Sequence, residues 1–551
     1  MKIENPILRG FNPDPCICRC GEDYYIATST FEWFPGVQIF HSRDLKNWRL
    51  VARPLSRASQ LDMRGNPDSG GVWAPALSYH DGQFWLIYTD AKSTRGAFKD
   101  QHNYLVTCEK IDGEWSEPIF LNSSGFDPSL FHDDDGRKYL LNVYWNHRVH
   151  EHSFHGIMLQ EYCHKTRKLL GKPVNIFTGS EFRVTEASHI YKIDGWYYLL
   201  TAEGGTGWGH VASLARSRNL TGPYELHPEN PIITARNSPD APFQKAGHAS
   251  IIKTHTDEWF AVYLMSRPIL GDGKSEDKAA KHVIDPANVN RGYCVLGRES
   301  SIKRLEWRDG WLWPVGGNEP DLTIDGPKMA EHPWQSTPAL DNFDNLTLDI
   351  NFQSLRIPLG KDIIILTARP GHLRIFGRES FSSQFTQAMV ARRWQSLFFD
   401  GGCRVEFYPE HLQQQAGLAC YYNTANWTAA YVTFNEQTGG RAIDIMGNDY
   451  GKSFQPLNGR EIPIPDGVEA VDLRVFVRGD VYHYAYSFDG ENWHTIPHEF
   501  PTYKLSDDYC SGTGSFTGAF IGIFCHDLSG TRLHADFDYF LYDEKSSPQI
   551  L

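Results

Sequence analysis

The sequence lacks the features that mark membrane-spanning, coiled-coil and nucleic-acid-binding proteins. It contains no apolar run of 18 residues, no heptad array and no long basic run, so neither a membrane helix nor a coiled coil is expected. A formal charge of −14 argues against nucleic acid or an anionic membrane surface as a partner. The first residues, MKIENPILRGFNPDP, lack the apolar core of a signal peptide. We therefore predict a cytoplasmic protein.

Paired cysteine motifs are also missing. Only Cys16, Cys18 and Cys20 of the 10 cysteines lie close together, alternating as they would on one face of a strand. A zinc site would need ligands from a second element, and none follows at a suitable spacing. We expect free thiols, no disulfides in a reducing compartment and no metal bound by these residues.

The sequence does contain a long succession of strand-like segments. Its 551 residues exceed what one core supports, so two large domains are expected. Short aromatic-rich runs such as GQFWLIYTD and WYYLLTAE follow turn signals, here Asp81-Gly82 and Asp194-Gly195. No segment before residue 320 has the periodicity of a long amphipathic helix. The pattern predicts an all-β protein.

One short phrase opens five times within the first 260 residues. Each copy continues with a small residue, an aliphatic residue, a polar turn and an aromatic-rich run, and the period is roughly 50–60 residues. The copies open at Asp14, Ala74, Asp127, Glu186 and His248. Such a repeat is typical of a β-propeller. We therefore predict that residues 1–315 form five blades whose opening residues ring one mouth of the central channel.

Three of these opening residues are carboxylic acids. Asp14, Asp127 and Glu186 would meet at the predicted channel mouth, an arrangement that suits glycoside hydrolysis, which needs one carboxylate and one protonated carboxyl group. The alternative is that an Asp-Pro pair only starts a strand after a turn, with the aspartate bonding local amides. Three acids in register favour the chemical interpretation. Aromatic residues near the same blade mouths would stack on sugar faces, with packing between blades as the alternative.

The composition of the chain changes after the last repeat. Residues 316–338 are rich in Gly and Pro and are interpreted as a linker. Residues 339–551 contain further alternating strands with short turns, which fit an antiparallel β-sandwich. The predicted architecture is a five-bladed β-propeller followed by a β-sandwich.

Six phrases, in order along the chain, resemble glycoside hydrolase family 43, specifically its two-domain β-xylosidases. They are FNPDP, GGVWAP, FDPSLF, TEASHIYK, GHASI and LGRES. The resemblance extends to FTGAFIG and GTRLHADFDYF near the C-terminus, so it covers essentially the whole chain. It implies a propeller joined to a sandwich that contributes a loop to the active site. It also implies an inverting enzyme that removes β-1,4-linked xylose from the non-reducing ends of xylo-oligosaccharides.

The resemblance implies a role for each matched residue. Asp14 matches the general base that activates water, Glu186 the general acid that protonates the leaving oxygen, and Asp127 the carboxylate that orients the acid and tunes its pKa. For inversion, the base and the acid are expected about 6.5–9.5 Å apart. The residues matched to sugar binding are Phe31, Trp73, Trp145, Thr206, the axial His248, Arg298 and, from the sandwich, Phe516, with Phe520 as the competing match.

Several alternatives stay open at the level of sequence. Related enzymes cleave α-L-arabinofuranosides with the same machinery, and a non-catalytic sugar-binding propeller is an alternative of a different class. Some members of the family hold Ca²⁺ on the propeller axis, where His248 is expected, but nothing in the sequence requires it. We predict that no cofactor is required. The resemblance also implies a homo-oligomer, commonly a tetramer.

Overall fold

Nearly every regular element of the described chain is a β-strand. The computed structural model describes residues 1–270 and 290–546. The chain folds into two units, one containing Met1–Pro268 and Arg298–Trp334, the other containing Ile269–Gly297 and Gln335–Leu551. No helix within the described ranges is long and apolar enough to span a membrane. The predicted all-β class is confirmed.

The first unit contains five antiparallel sheets whose strands follow chain order. Their second strands, such as Gln83–Ala91, are buried along almost their whole length because both faces of the blade are covered. The strands of this unit are β2 (Cys16–Cys20), β3 (Asp23–Thr28), β5 (Gln38–Ser42) and β6 (Arg49–Ala52) of blade 1; β7 (Gly71–His80), β8 (Gln83–Ala91), β9 (Gln101–Cys108) and β10 (Ile119–Asn122) of blade 2; β11 (Ser129–His132), β12 (Lys138–Trp145), β13 (Phe154–Cys163) and β14 (Lys168–Phe177) of blade 3; β15 (Glu186–Ile193), β16 (Trp196–Glu203), β17 (Val211–Ser217), β18 (Glu225–Leu226) and β19 (Ile233–Thr234) of blade 4; β20 (Gln244–Lys253), β21 (Trp259–Ser266), β22 (Glu299–Arg308) and β23 (Trp311–Pro314) of blade 5; and, outside the five blade sheets, β1 (Lys2–Glu4), β4 (Trp33–Phe34) and β24 (Thr323–Asp325).

Tight turns join the first two strands of the blades, as the Asp-Gly pairs predict. Asp81 and Gly82 have φ of 53° and 75°, and Asp194 and Gly195 have φ of 48° and 74°. Positive φ at both central residues is the geometry of a type I′ turn, whose twist matches that of the flanking strands. The turns therefore fix the register of β7 with β8 and of β15 with β16.

The first strand of every blade faces a common central channel. Residues of β2, β7, β11, β15 and β20 together line a cavity of about 430 Å³. Each of these strands begins at or near one opening residue of the repeat, so the repeat collects those residues at one end of the channel. The predicted five-bladed propeller is confirmed.

Part of the predicted linker belongs to the first unit. Strand β24 pairs with β1, with Ile324 opposite Ile3, and both isoleucine side chains are buried. Leu8 also forms a bridge with Ser300 of blade 5. The segment that precedes blade 1 is thus held by strands that lie at the end of the same unit.

The second unit contains two antiparallel sheets, which form the predicted β-sandwich. One has the strand order β27-β28-β40-β30-β36-β37-β38 with β25 beside β40, and the other has β29-β39-β31-β32-β33-β34 with β35 beside β33. The strands are β25 (Leu340–Asp341), β26 (Ser354–Leu355), β27 (Ile364–Ile365), β28 (Leu373–Phe376), β29 (Met389–Arg393), β30 (Phe398–Glu406), β31 (Gln414–Asn423), β32 (Asn426–Asn435), β33 (Gly440–Asp449), β34 (Lys452–Phe454), β35 (Ile462–Pro463), β36 (Val471–Arg478), β37 (Val481–Ser487), β38 (His494–Pro501), β39 (Phe520–Asp527) and β40 (His534–Glu544). A short 3₁₀ helix covers Thr502–Leu505.

The boundary between the two units differs from the predicted one at residue 315. Tyr293, Val295 and Leu296 lie within the predicted first domain, but their side chains are part of the buried apolar core of the second unit. The backbone amide of Cys294 donates a hydrogen bond to Asp508 of that unit (2.7 Å). The chain therefore leaves the first unit after β21 and returns to it at Arg298, a path that strand periodicity does not reveal.

Candidate active site

The backbone takes a left-handed conformation at or near the start of the first strand of each blade. This conformation costs a non-glycine residue of order 1–3 kcal/mol and is concentrated at functional sites. The residues concerned are Asp14 (φ 55°), Ala74 (φ 35°), Asp127 (φ 52°), Ala187 (φ 51°) and His248 (φ 44°). The predicted equivalence of the five openings is therefore right for four blades and shifted by one residue in blade 4, where Ala187 takes this position and Glu186 precedes it.

Asp14 is a buried carboxylate with donors on both oxygens. Arg298 Nη1 donates to Oδ1 at 3.0 Å, and Ser29 Oγ donates to Oδ2 at 2.6 Å. The ring nitrogen Nδ1 of His248 lies 3.4 Å from Oδ1. Burial alone would raise the pKa of Asp14, but Arg298, His248 and the Ser29 hydrogen bond outweigh it and lower the pKa below its ordinary value. Asp14 is therefore ionised throughout the neutral range.

Arg298 connects three of the predicted residues. Besides Asp14, its Nη1 donates to the hydroxyl of Thr206 at 3.1 Å. Its guanidinium lies 5.3 Å from the ring centroid of Phe31. The arginine is buried, and it stands immediately before β22 of blade 5. The structure thus brings together Asp14, Thr206, Phe31, His248 and Arg298, as predicted.

The pKa values of the other two carboxyl groups, Glu186 and Asp127, are shifted upwards, opposite to that of Asp14. Burial and the negative charge of Asp14 raise the pKa of Glu186 to about 8, against the opposing effect of Arg298 and Lys99. Burial and the charges of Glu186 and Asp14 raise the pKa of Asp127 well above its ordinary value. Asp127 and Glu186 form a coupled pair, because two neighbouring like charges are not readily ionised together. At neutral pH, Glu186 therefore holds a proton while Asp14 does not.

Blades 3 and 4 are joined at this pair. The backbone amide of Ala187 donates a hydrogen bond to the carboxyl group of Asp127. The pairing of β15 with β16 is irregular between Glu186 and His189, and such an irregularity re-aims a side chain at the end of a strand. The one-residue shift in blade 4 thus frees the Ala187 amide for Asp127 and leaves Glu186 as the first residue of β15.

A continuous row of aromatic rings runs from blade 1 to blade 3. The ring centroids of Phe31 and Trp73 are 6.1 Å apart, those of Trp73 and Phe126 are 5.6 Å apart, and those of Phe126 and Trp145 are 6.1 Å apart. The indole N–H groups of Trp73 and Trp145 donate to the backbone carbonyls of Ser69 and Ala97, both at 2.9 Å. Both tryptophans are half-buried, so they present a firm apolar surface beside the carboxyl groups.

Lys99 is a residue of this site that the sequence analysis missed. Its ammonium lies 4.0 Å from the ring centroid of Trp145 and lowers the pKa of Glu186. Burial in turn lowers the pKa of Lys99 itself. Lys99 lies in the loop between β8 and β9, outside the repeated phrase. No signal in the sequence therefore distinguishes it from the neighbouring cationic residues.

Two histidines near His248, the buried His210 and the half-buried His189, were also missed. Burial and the nearby charges of His248 and Arg298 lower the pKa of His210 to about 3, and burial together with His248 lowers that of His189 to about 3. The Nδ1–H of His210 donates to the carbonyl of Gly205 at 2.8 Å. These imidazoles are therefore neutral at neutral pH.

A calcium ion near His248 is not favoured by the donors present. Ca²⁺ takes six to eight oxygen ligands, whereas the neighbours of His248 are imidazoles and an aspartate engaged by Arg298. Over residues 1–270 and 290–546, no three His, Cys, Asp or Glu side chains converge as a metal-binding group.

Phe516 lies in the second unit, between the 3₁₀ helix and β39. The competing match, Phe520, is part of β39, where it pairs with Arg393 and Tyr421 on the two neighbouring strands. Phe516 therefore lies in a loop and Phe520 in a sheet. The contact of Phe516 with the sugar pocket stays a prediction.

The effect of Lys99 on Glu186 can be measured directly. In Lys99→Met the positive charge is lost, so the pKa of Glu186 is expected to rise above its value of about 8. The protonated carboxyl stretch of Glu186, isolated as an infrared difference against Glu186→Gln, reports this pKa during a pH titration. Lys92→Met is the matched control, because Lys92 of the same loop is paired with Asp90 (2.7 Å). An unchanged pKa in Lys99→Met, or an equal rise in both variants, would contradict this account.

Comparison with known proteins places the two units in described families. Residues 3–312 match the model of "Glycosyl hydrolases family 43" and residues 340–543 match "Beta xylosidase C-terminal Concanavalin A-like domain". A "Beta-xylosidase" of Bacillus subtilis is 58% identical over 99% of this chain and 100% of that protein. "Xylosidase/arabinosidase 43B" of Humicola insolens is 46% identical over 99% and 98%. The solved structure of xylan beta-1,4-xylosidase from Bacillus halodurans has a TM-score of 0.93 and 47% identity, over 98% of this chain and 100% of that one.

Proposed function

The chain belongs to glycoside hydrolase family 43, and we propose that it removes single β-1,4-linked xylose residues from the non-reducing ends of xylo-oligosaccharides with inversion. One observation carries the proposal. Within a single site Asp14 is held ionised by Arg298, while burial and the charge of Asp14 raise the pKa of Glu186 to about 8. An ionised base and a protonated acid at the same pH are what single-step glycoside hydrolysis requires.

In the proposed reaction Asp14 and Glu186 act on opposite sides of the anomeric carbon. Asp14 accepts a proton from a water molecule, whose oxygen bonds to the anomeric carbon as the glycosidic bond breaks. Glu186 gives its proton to the departing oxygen, so the leaving sugar departs as a neutral alcohol. Asp127 orients Glu186, and the two carboxyl groups influence each other's pKa because they lie close together. The separation of about 6.5–9.5 Å between base and acid stays a prediction.

The proposed sugar contacts follow from the shape of the site. The row of rings from Phe31 to Trp145 offers an apolar face to the C–H groups of a pentose, and Arg298, Thr206 and Lys99 offer donors to its hydroxyls. The names of the relative from Bacillus subtilis and of the solved structure from Bacillus halodurans favour xylose as this pentose. Cleavage at chain ends and homotetramer assembly rest on the family resemblance.

A second candidate activity is the hydrolysis of α-L-arabinofuranosides. The relative from Humicola insolens has a name that includes both sugars, and the two pentoses present similar hydroxyl patterns. The ratio of kcat/KM values on the 4-nitrophenyl glycosides of β-xylopyranose and α-L-arabinofuranose distinguishes the candidates. A non-catalytic sugar-binding propeller would hydrolyse neither, and the separated pKa values of Asp14 and Glu186 have no role in such a protein.

The proposed activity is tested by the first products formed from xylotetraose. We expect xylose and xylotriose, and not xylobiose, as the initial products, because the enzyme removes one terminal sugar at a time. Proton NMR during the first minutes should show the released xylose as the α anomer, since the β bond is inverted. Initial formation of the β anomer, or of xylobiose, would refute inversion or terminal cleavage respectively.

The pH dependence of kcat/KM follows from the two pKa shifts. Glu186 acts as an acid, so activity is expected to fall as pH rises through about 8, where Glu186 loses its proton. Asp14 acts as a base, so activity falls only below the ordinary aspartate range, near pH 4 and lower.

Glu186→Gln supplies the control for this profile. It should lose the alkaline limb and slow xylobiose hydrolysis by about 10²- to 10⁴-fold. The loss should be smaller on an aryl xyloside whose leaving group needs no proton. An alkaline limb that persists in Glu186→Gln would assign that limb to another group.

A further inference from the structure

Ser29 is fully buried beside Asp14, just after the end of β3. Its backbone amide donates to the carbonyl of Pro13 at 3.2 Å, which fixes the serine next to the aspartate. Its hydroxyl donates to Asp14 Oδ2 at 2.6 Å and accepts a hydrogen bond from the backbone amide of Ala74 at 2.7 Å. The hydroxyl thus connects the backbone of blade 2, at Ala74, to the carboxylate of Asp14 in blade 1.

The two oxygens of Asp14 have different surroundings. Oδ1 receives Arg298 at 3.0 Å and faces His248 at 3.4 Å. Within the described residues, Oδ2 receives only the hydroxyl of Ser29. Each oxygen of a carboxylate has two lone pairs. Arg298 therefore donates a charged hydrogen bond to Oδ1, with His248 beside it, whereas Oδ2 accepts one neutral donor and keeps a lone pair for a further hydrogen bond.

We infer that Ser29 is a positioning residue that orients Asp14 so that the free lone pair of Oδ2 receives the proton of the attacking water. The inference rests on the proposed function, in which Asp14 is the general base. The proton moves from water to Oδ2, the water oxygen bonds to the anomeric carbon, and the glycosidic oxygen leaves with the proton of Glu186. Ser29 itself neither gains nor loses a proton, because its hydrogen stays directed at Oδ2.

The amide of Ala74 determines the direction of this hydroxyl. A serine hydroxyl has one hydrogen and two lone pairs. With the Ala74 N–H pointing at one lone pair, the hydrogen of Ser29 is left to point at the carboxylate. Ala74 adopts its left-handed backbone conformation (φ 35°) at this place. The second repeat, which has no carboxyl group at its opening, thus contributes to the site through its backbone.

The inference is tested by Ser29→Ala and by the nearly isosteric Ser29→Cys, assayed on 4-nitrophenyl β-xyloside across the pH range. A hydrogen bond to a charged group supports a loss of about 10- to 100-fold in kcat for Ser29→Ala, with KM changed by less than about 3-fold. The acid limb of the kcat/KM profile should move to higher pH, because the ionised form of Asp14 loses a donor. Ser29→Cys, whose thiol is a weak donor, should fall between Ser29→Ala and the wild type.

The matched control is Ser213→Ala on β17. Ser213 is equally buried, and its hydroxyl has no hydrogen-bond partner among the described residues. It should retain wild-type kcat and acid limb, which separates positioning of Asp14 from general loss of a buried hydroxyl. An unchanged acid limb in both Ser29 variants, or an equal loss of kcat in Ser213→Ala, would overturn the inference. An inactive wild-type enzyme would instead overturn the proposed function, so the two failures are distinguishable.

Discussion

The buried ion pair between Arg298 and Asp14 is the interaction on which the site depends. Burial by itself favours the neutral form of every carboxyl group in the pocket, and only at Asp14 do Arg298, His248 and the Ser29 hydrogen bond reverse this preference, with Arg298 contributing most. The retained charge of Asp14 then raises the pKa values of Glu186 and Asp127. Breaking a buried pair by removing one partner leaves an uncompensated charge and is strongly destabilising. The ion pair therefore influences the protonation states of all three acids.

Closure of the propeller makes this pair possible. Asp14 and Arg298 are 284 positions apart in the sequence, and they meet because blade 5 lies beside blade 1. A backbone hydrogen bond also joins the two segments, because the amide of Asn12 donates to the carbonyl of Arg298 at 2.9 Å. The ring also explains why equivalent positions of the repeat perform different tasks. Their side chains face one small volume, and each changes the electrostatic environment of the others.

The strands, the five blades and most of the site could be predicted from the sequence because they are carried by local patterns. Turn pairs such as Asp81-Gly82 define hairpins, and the repeat period places the openings on one ring. The contributions of Ser29 and Lys99 could not be predicted, since each acts through a contact between different blades or loops. The one-residue shift at Ala187 and the return of the chain at Arg298 are likewise tertiary features that leave the strand pattern unchanged.

The proposed mechanism requires that Asp14 is ionised and Glu186 is protonated in the same pocket at neutral pH. Neutron diffraction from crystals of the perdeuterated protein, grown near pH 7, shows the proton positions directly. We expect a deuteron on the carboxyl group of Glu186, none on either oxygen of Asp14, and the deuteron of the Ser29 hydroxyl directed at Asp14 Oδ2. A deuteron on Asp14, or an ionised Glu186, would contradict this mechanism.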